Sequence, residues 1–396
     1  MTLSTELAEE TERLLRFSAG SLHPKGGFAW LNDDGDPDLD RPVETWITCR
    51  MTHVLSLGVL LGHDEYRQLV DHGIEALATL LHDDVHGGWF AASDRPGAGE
   101  KRAYDHAFVA LAASSAVLAG STAAVGLLTD ATTTILDRFW DESVGRVSDV
   151  WSCDWSSCEP YRGANANMHT VEAFLALADV TANTQWLDRA YRIASFFIDG
   201  KARTNDWRIP EHYSADWTEF PDYNRDDPAH KFRPFGATPG HGFEWSRLLL
   251  HLHASPGFLD AGWLLDAARG LFDRAVADGW RDGGFVYTTD WDGMPVVGDR
   301  LHWVLCEAIA AAGALHEATG EGRFGSLVDE WWSLAKHEFI DSSFGSWHHQ
   351  LDAANRPVNT VWPGKPDTYH AVQATLLPRL PLAPSLASAL ANDLLR

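Results

Sequence analysis

Histidines close to acidic residues are the side chains of this 396-residue sequence best suited to chemistry near neutral pH. His241 precedes Glu244 by three residues at a predicted helix start, so the carboxylate and the imidazole can share one helical face. A helix N-terminus favours the neutral imidazole, the form that acts as a base. His370 follows Pro366 and Asp367 at a similar helix start. These two histidines are therefore the candidate proton-transfer groups.

Other predicted helix starts also carry polar or aromatic side chains suited to holding a polar substrate. They are Arg50, Tyr104, Asn165, His169, Trp303 and Glu307, together with Glu244 and Asp367 beside the two histidines. The histidines come from separate segments without an H-E-x-x-H pattern, so we expect no metal and no cofactor. The sequence also lacks the G-x-S-x-G nucleophile pattern and a phosphate-binding glycine loop. Glu244 and Glu307 are compatible with an inverting glycosidase, which remains an alternative.

Helical periodicity predicts twelve main helices and a short tail helix after Pro384. The predicted helices are 4–18, 43–62, 64–82, 104–119, 121–139, 165–182, 184–199, 240–254, 260–279, 300–318, 322–338 and 367–380. Between alternate helices lie aromatic segments with the turn–strand–turn–strand order of a β-hairpin, at 23–38, 83–99, 280–295 and 342–357, with a divergent copy at 143–160.

A polar residue near the start of every second helix reveals a repeat. The marked residues are Arg50, His106, His169, His241, His302 and His370, at intervals of 56 to 72 residues. Six helix–loop–helix units of this kind can stack openly or close into a ring. The alternate helices are rich in small residues, which suits a crowded inner ring. We predict an all-α (α/α)6 barrel, one domain over 1–396, with hairpins on the face that carries the active site.

The hairpin segments contain aromatic residues where plain surface connections would be polar. These residues are Phe28, Trp30, Trp89, Phe90, Trp151, Trp155, Phe285, Tyr287, Trp291 and Trp347. Aromatic faces pack against the C–H-rich face of a pyranose, while polar groups bind its hydroxyls. The pattern indicates a carbohydrate-sized cleft, in either an enzyme or a sugar-binding protein.

The formal charge of −25 argues against nucleic acid and anionic membranes as partners. Residues 1–17 are acidic where a secretory signal would be basic, and we see no apolar run of about 18 residues, so we expect a cytoplasmic protein. Four scattered cysteines, Cys49, Cys153, Cys158 and Cys306, are expected to be reduced. Monomer and homodimer both remain open. The long segment 201–238 is either a lid or a fixed arm.

Three segments resemble signatures of the N-acylglucosamine 2-epimerase superfamily: RGANANMHTVEAFLAL, TPGHGFEWSRLLL and GKPDTYHAVQA. The match is strongest to its branch of sugar aldose–ketose isomerases, which includes isomerases of mannose and of sulfoquinovose. It extends from the region of Arg50 to that of His370. The resemblance implies an (α/α)6 barrel and metal-independent catalysis, with His241 and His370 as the acid/base pair. It also implies that residues matching Arg50, Tyr104, Asn165, His169, Glu244 and Glu307 contact the sugar or orient the pair.

The expected reaction is isomerisation of mannose to fructose, and of lyxose to xylulose, through a cis-enediol. We expect His370 to move the proton between C2 and C1, His241 to assist ring opening, and Arg50 to polarise the carbonyl oxygen. A 2-epimerase of mannose/glucose or cellobiose type is an alternative, with His169 as a further proton donor. A sulfonated or phosphorylated sugar would need cations at the mouth, for which the candidates are Arg162, Lys231, Arg233 and Lys365.

Overall fold

Helices form most of the regular structure in the computed structural model, which describes residues 2–94, 99–258 and 262–396. In chain order they are α1 (Leu3–Ser18), α2 (Thr45–Leu60), α3 (Arg67–Ala78), α4 (Ala103–Leu118), α5 (Ala124–Thr134), α6 (Ala164–Thr181), α7 (Gln185–Ala194), α8 (Pro239–Ala254), α9 (Leu264–Gly279), α10 (His302–Thr319), α11 (Gly322–Leu334), α12 (Tyr369–Leu376) and α13 (Leu386–Ala391). The twelve predicted main helices and the tail helix all have a counterpart.

The even-numbered helices α2 to α12 form an inner ring. Each contacts the next even-numbered helix, and α12 contacts α2, which closes the ring. These helices are buried on nearly all sides; in α4, for example, almost every residue is buried. A helix that is apolar all round belongs in an interior, and the many alanines of α4 and α10 let neighbouring backbones approach closely. The inner ring is therefore the core of the barrel.

The odd-numbered helices α1 to α11 cover the ring from outside and bury only one face. In α7, the buried residues Trp186, Leu187, Ala190 and Ile193 recur at helical spacing, and the other side faces solvent. The predicted helix 260–279 is observed from Leu264, while its first residues 260 and 261 lie outside the described part of the chain. Helix α13 packs against α2, α4 and α6 at the end of the barrel where those helices terminate.

Fourteen strands of two or three residues occur in the described ranges. They are β1 (Trp30–Leu31), β2 (Pro37–Asp38), β3 (Glu100–Arg102), β4 (Trp140–Asp141), β5 (Arg146–Val147), β6 (Val150–Ser152), β7 (Tyr161–Gly163), β8 (His212–Ser214), β9 (Trp280–Arg281), β10 (Gly284–Phe285), β11 (Thr288–Thr289), β12 (Pro295–Val297), β13 (Arg300–Leu301) and β14 (Gln350–Leu351). All lie in connections that lead from an outer helix to the next inner helix, as predicted.

Local hairpins account for only part of the strand pairing. Hairpins join β1 to β2, β4 to β5, β9 to β10 and β11 to β12, whereas β3–β6, β7–β8 and β13–β14 join strands from two different connections. The predicted hairpin at 83–99 forms isolated bridges instead, His82 to Trp89 and Glu44 to Ala92, and its residues 95–98 lie outside the described part. Backbone groups at this rim therefore find partners in neighbouring connections.

The length and hydropathy of the helices decide whether any of them could cross a membrane. Within 2–94, 99–258 and 262–396, no helix combines the length and the apolar character needed to cross a bilayer.

Candidate active site

A cavity of about 600 Å³ opens at the end of the barrel where the inner helices begin. Nine of the ten predicted site residues line it: Arg50, Tyr104, Asn165, His169, His241, Glu244, Trp303, Asp367 and His370. The tenth, Glu307, lies beneath the lining. The helical repeat explains this convergence, because each residue stands at or near the N-terminal end of an inner helix.

Beside the cavity, His241 is held by a carboxylate that the sequence did not reveal. The Nδ1 atom of His241 lies 2.9 Å from Oε1 of Glu211, and both residues are buried. Glu211 belongs to the connection between α7 and α8, where its backbone carbonyl accepts a hydrogen bond from Ala164. Of the two roles considered for Glu244, orienting His241 does not fit its placement, because its side chain points towards His169 and Arg247; contact with a sugar remains a prediction, since Glu244 lines the cavity. This contact fixes the tautomer of a neutral His241: Nδ1–H donates to the carboxylate, and the lone pair lies on Nε2.

A second carboxylate–imidazole pair is formed by His370 and Glu307, with 2.9 Å between Nδ1 and Oε1. Burial lowers the pKa of His370 below its usual value, and the hydrogen bond with Glu307 opposes that shift. Glu307 lies one turn further along α10 than Trp303, which places it behind His370 and out of contact with the cavity. Its predicted role in orienting the pair fits this placement, and direct contact with a sugar does not.

Trp303 lies between the two imidazoles. Its ring centroid is 5.3 Å from that of His241 and 5.9 Å from that of His370, with an interplanar angle of 38° to each. The three rings therefore form one aromatic wall of the cavity, and each imidazole in it has Nδ1 bonded to a carboxylate. Such a wall can hold the face of a small ring beside two nitrogen atoms able to exchange protons.

Arg50 provides the main positive charge beside this wall. One terminal nitrogen donates to Oδ2 of Asp367 at 3.2 Å, and the other donates to the hydroxyl of Tyr104 at 2.9 Å. The backbone N–H of Tyr369 donates to the other oxygen of Asp367, which fixes that carboxylate. The guanidinium is only 6% exposed, so its direction is set by these partners. A positive group held in this way can stabilise charge that develops on a substrate oxygen.

His169 and Glu244 line the cavity, and Glu172 lies beside His169 outside the lining. The Nδ1 atom of His169 lies 3.4 Å from Glu172 and 3.7 Å from Glu244, and burial lowers the pKa of His169 to about 4. Burial also raises the pKa of Glu244 well above its usual value, and the nearby charge of Glu307 adds to the effect. His169 is therefore neutral at physiological pH, and the shift at Glu244 favours its protonated form.

The same three residues could hold a metal ion, since the ligand atoms of His169, Glu172 and Glu244 lie within 4.8 Å of one another. The guanidinium of Arg247 lies 3.6 Å from Glu244 and 3.9 Å from Glu172, and its positive charge disfavours a second cation there. A further group, Asp83, His86 and Cys153, lies away from this cavity. There the ammonium of Lys101 already donates to Asp83 at 2.7 Å. Metal-free chemistry remains a prediction.

Several lining residues come from the connections. Tyr287 and Lys231 were among the predicted aromatic residues and cations, whereas Phe232, His349 and Trp362 had no clear sequence signal. The ring of His349 stacks on that of His302 with 3.8 Å between centroids. Of the four cations considered for an anionic sugar, Lys231 alone lines the cavity. The others are engaged elsewhere: Arg233 with Glu159, Lys365 with Asp341, and Arg162 with backbone carbonyls.

The segment 201–238 is bonded to neighbouring connections at several points. Its strand β8 pairs with β7, the hydroxyl of Tyr287 donates to the carbonyls of His230 and Lys231, and Ala237 bridges to Thr289. These bonds favour the fixed arm over the lid for the part of the segment that lines the cavity.

Comparisons with known proteins agree with this architecture. The family model described as N-acylglucosamine 2-epimerase (GlcNAc 2-epimerase) matches residues 26–374. D-mannose isomerase of Thermobifida fusca is 51% identical over 98% of this chain and 96% of its own length. A crystal structure of D-mannose isomerase matches with a TM-score of 0.87 and 32% identity, over 94% of this chain and 96% of that one. Cellobiose 2-epimerase from Spirochaeta thermophila matches in fold, with a TM-score of 0.82 and 21% identity over 95% of each chain.

These similarities confirm the predicted (α/α)6 barrel and the resemblance read from the three sequence segments. The family match covers most of the chain, including all ten predicted site residues. The chain belongs to the N-acylglucosamine 2-epimerase family.

Proposed function

We propose that the protein is an aldose–ketose isomerase that interconverts D-mannose and D-fructose. One observation carries the proposal: two imidazoles, His241 and His370, flank Trp303 in a monosaccharide-sized cavity, each with Nδ1 bonded to a carboxylate. An isomerase needs such a pair, one group for the oxygen protons and one for the carbon proton. The relatives named D-mannose isomerase, which match over nearly the whole chain, support the choice of sugar.

Catalysis begins with opening of the pyranose ring. One base takes the hydroxyl proton from O1 and passes it to the ring oxygen as the bond between C1 and that oxygen breaks, which leaves an aldehyde at C1. We assign this step to Nε2 of His241, because Glu211 engages Nδ1 and, among the described residues, Nε2 has no hydrogen-bond partner. Trp303 holds the sugar face between the two imidazoles.

The second step moves a proton between two carbon atoms. The Nε2 atom of His370 removes the proton from C2, and the electron pair passes through the C1–C2 bond to O1, where Arg50 stabilises the negative charge. His241 takes the proton from the O2 hydroxyl and delivers it to O1 of the enediolate. Return of the carbon proton to C1 then leaves the carbonyl at C2, which is the ketose. A positioned base contributes about 10²- to 10⁴-fold to such a step.

The same enediolate gives an epimer if the proton returns to the opposite face of C2. His169 lies in the same cavity and is neutral, so a 2-epimerase is the second candidate. Lys231 keeps a sulfonated aldose among the substrates to test, since its ammonium lines the cavity 5.4 Å from the rings of Trp30 and Trp362. D-lyxose belongs in the same panel.

The test is to incubate the protein with mannose, glucose, lyxose and a sulfonated aldose in D₂O and to follow the products by NMR. We expect mannose to give fructose in the presence and absence of EDTA. Formation of glucose in place of fructose would favour the epimerase, and binding without deuterium at C1 or C2 would favour a sugar-binding protein. Release of free sugar from a glycoside would instead indicate a glycosidase.

A substitution of His370 tests the role assigned to it. His370→Asn should abolish deuterium exchange at C2 while mannose binding, measured by calorimetry, remains. His63→Asn is the matched control, because that imidazole pairs with Glu12 away from the cavity. Retained turnover in His370→Asn would overturn the assignment.

A further inference from the structure

Arg247 lies beneath the cavity and does not line it, yet it contacts the carboxylates that surround the predicted catalytic groups. It stands in the middle of α8, one turn beyond Glu244, and its side chain is 3% exposed. Its Nε donates to Oε2 of Glu307 at 3.0 Å. Its Nη2 lies 3.6 Å from Glu244 and 3.9 Å from Glu172. In the described part of the chain, no other lysine or arginine lies within 4 Å of these three carboxylates.

One guanidinium cannot neutralise three carboxylates, so the remaining negative charge must be compensated by protonation or by hydrogen bonds. Glu172 accepts hydrogen bonds from Tyr369 and Gln373 and remains ionised. Glu244 has an oxygen without a hydrogen-bond partner, and burial raises its pKa well above the usual value. The raised pKa of Glu244 favours its neutral form, which reduces the surplus negative charge by one. Burial alone would raise the pKa of Glu307, and Arg247 and His370 together lower it below the usual value.

We propose that Arg247 is a positioning residue that keeps a second proton off the His370–Glu307 pair, so that Nε2 of His370 stays free to act as a base. The inference rests on the proposed isomerase function and extends it to a residue that does not touch the substrate.

The reason lies in how the pair can hold protons. With one proton, an ionised Glu307 accepts from Nδ1–H, and Nε2 of His370 keeps its lone pair. Because Oε2 of Glu307 accepts from Arg247, a second proton goes either to Nε2 of His370 or to Oε1 of Glu307. On Glu307 it makes the carboxyl a donor to Nδ1, and the ring proton must then move to Nε2. Both arrangements leave Nε2 protonated and unable to accept a proton from C2.

The charge of Arg247 opposes that second proton directly, because adding it would increase the positive charge beside a guanidinium. A charge within about 4–6 Å changes the proton affinity of a carboxyl by about 1 to 3 pH units. The cluster is also faced by other titratable or charged groups, which stay in place when Arg247 is changed. They are Arg50, His53, His169, Glu172, Glu244, His251, His302, His349, Asp367 and Tyr369.

The test is the pH dependence of mannose isomerisation in Arg247→Met. We expect the acid limb of kcat/KM to move to higher pH by about 1 to 3 units. Turnover at pH 6 should fall by about tenfold or more and recover as the pH rises. At a pH where turnover has recovered, KM should stay within about twofold of its original value, because Arg247 does not line the cavity. Arg247→Lys keeps a positive charge and should restore the acid limb to nearly its original position.

Arg208→Met is the matched control, since Arg208 is also largely buried and paired with a carboxylate, that of Asp278, away from the cavity. It should leave the acid limb unchanged. An Arg247→Met protein that folds and keeps the original acid limb would overturn the inference. If Arg247→Met does not fold, the comparison of Arg247→Gln with Arg247→Lys replaces it, and equal acid limbs in those two variants overturn the inference as well.

A second measurement separates this inference from the proposed function. In ¹⁵N NMR of histidine-labelled protein at pH 7, with the His370 signals assigned from His370→Asn, Nε2 of His370 should be unprotonated in the original protein and protonated in Arg247→Met. This result needs no substrate. An original protein without isomerase activity would therefore refute the function alone, and unchanged Nε2 signals would refute the role of Arg247 alone.

Discussion

Removal of the charge on Glu211 is the sharpest test of how the connection between α7 and α8 serves the proposed chemistry. In Glu211→Gln the shape of the side chain is kept, but the acceptor that holds Nδ1 of His241 at 2.9 Å is no longer ionised. The amide can also rotate and donate, which would shift the ring proton to Nε2. We therefore expect slower ring opening, with little change in the affinity for mannose.

The magnitude follows from the burial of the pair. Glu211 is 4% exposed and His241 is 8% exposed, so water cannot replace the lost acceptor easily. A buried hydrogen bond to a charged group contributes about 1.5–3 kcal/mol. At about 1.4 kcal/mol for each factor of ten, kcat should fall by about 10- to 150-fold.

The assay is the initial rate of fructose formation from mannose, with thermal unfolding as a check on folding. Glu219→Gln is the control, because Glu219 lies in the same segment, pairs with Lys201 at 2.8 Å and is well exposed. Its kcat should stay within about twofold of the original. The reasoning fails if Glu211→Gln, fully folded, also keeps its kcat within that range.

Three further results are expected. Gly240→Ala would place a Cβ 2.3 Å from Cζ3 of Trp303, so it should displace that ring, cost about 1–3 kcal/mol in urea unfolding and lower kcat; a crystal structure with Trp303 unmoved would contradict this. Lys101→Met should cost about 3–5 kcal/mol because it leaves Asp83 buried without its partner, whereas exposed Lys25→Met should cost under 0.5 kcal/mol, roughly a neutral change. The free energy of unfolding should also fall as the pH drops below about 6.5, because the unfolded chain binds protons that the folded chain cannot. The loss is up to about 1.4 kcal/mol per pH unit for each buried histidine whose pKa burial lowers to about 3 or 4. Urea titrations at pH 7, 6 and 5 test this, and equal stabilities would refute it; the histidines are His53, His106, His169, His251 and His302.

The helical repeat made much of the site predictable. His241 and His370 each stand at the start of a periodic apolar segment, and the regular interval between such starts places them at one end of a closed ring. The family segments then assign them roles. Both signals are local in sequence, which is why nine of the ten predicted residues reach the cavity.

The carboxylate partners were harder to predict because they depend on contacts between distant segments. Glu211 lies in an irregular stretch, 30 residues before His241, without periodicity to indicate its direction. Glu244 has ideal helical spacing for His241, yet the connection supplies a closer acceptor and Glu244 turns to the interior. The pairing of these strands was not predicted for the same reason, since the partners of β3 and β14 each lie in another connection.

The pairs β3–β6, β7–β8 and β13–β14 have a consequence for engineering the rim of the barrel. Because backbone hydrogen bonds tie two connections together, a loop transplanted alone from a relative would leave its former partner strand unpaired. To transfer the substrate range of a relative, two neighbouring loops should therefore be exchanged together. Even the connection that carries β1 and β2, whose two strands form a local hairpin, is bonded to its neighbours, because Leu31 accepts a hydrogen bond from Lys365 and Val43 accepts one from Ser93.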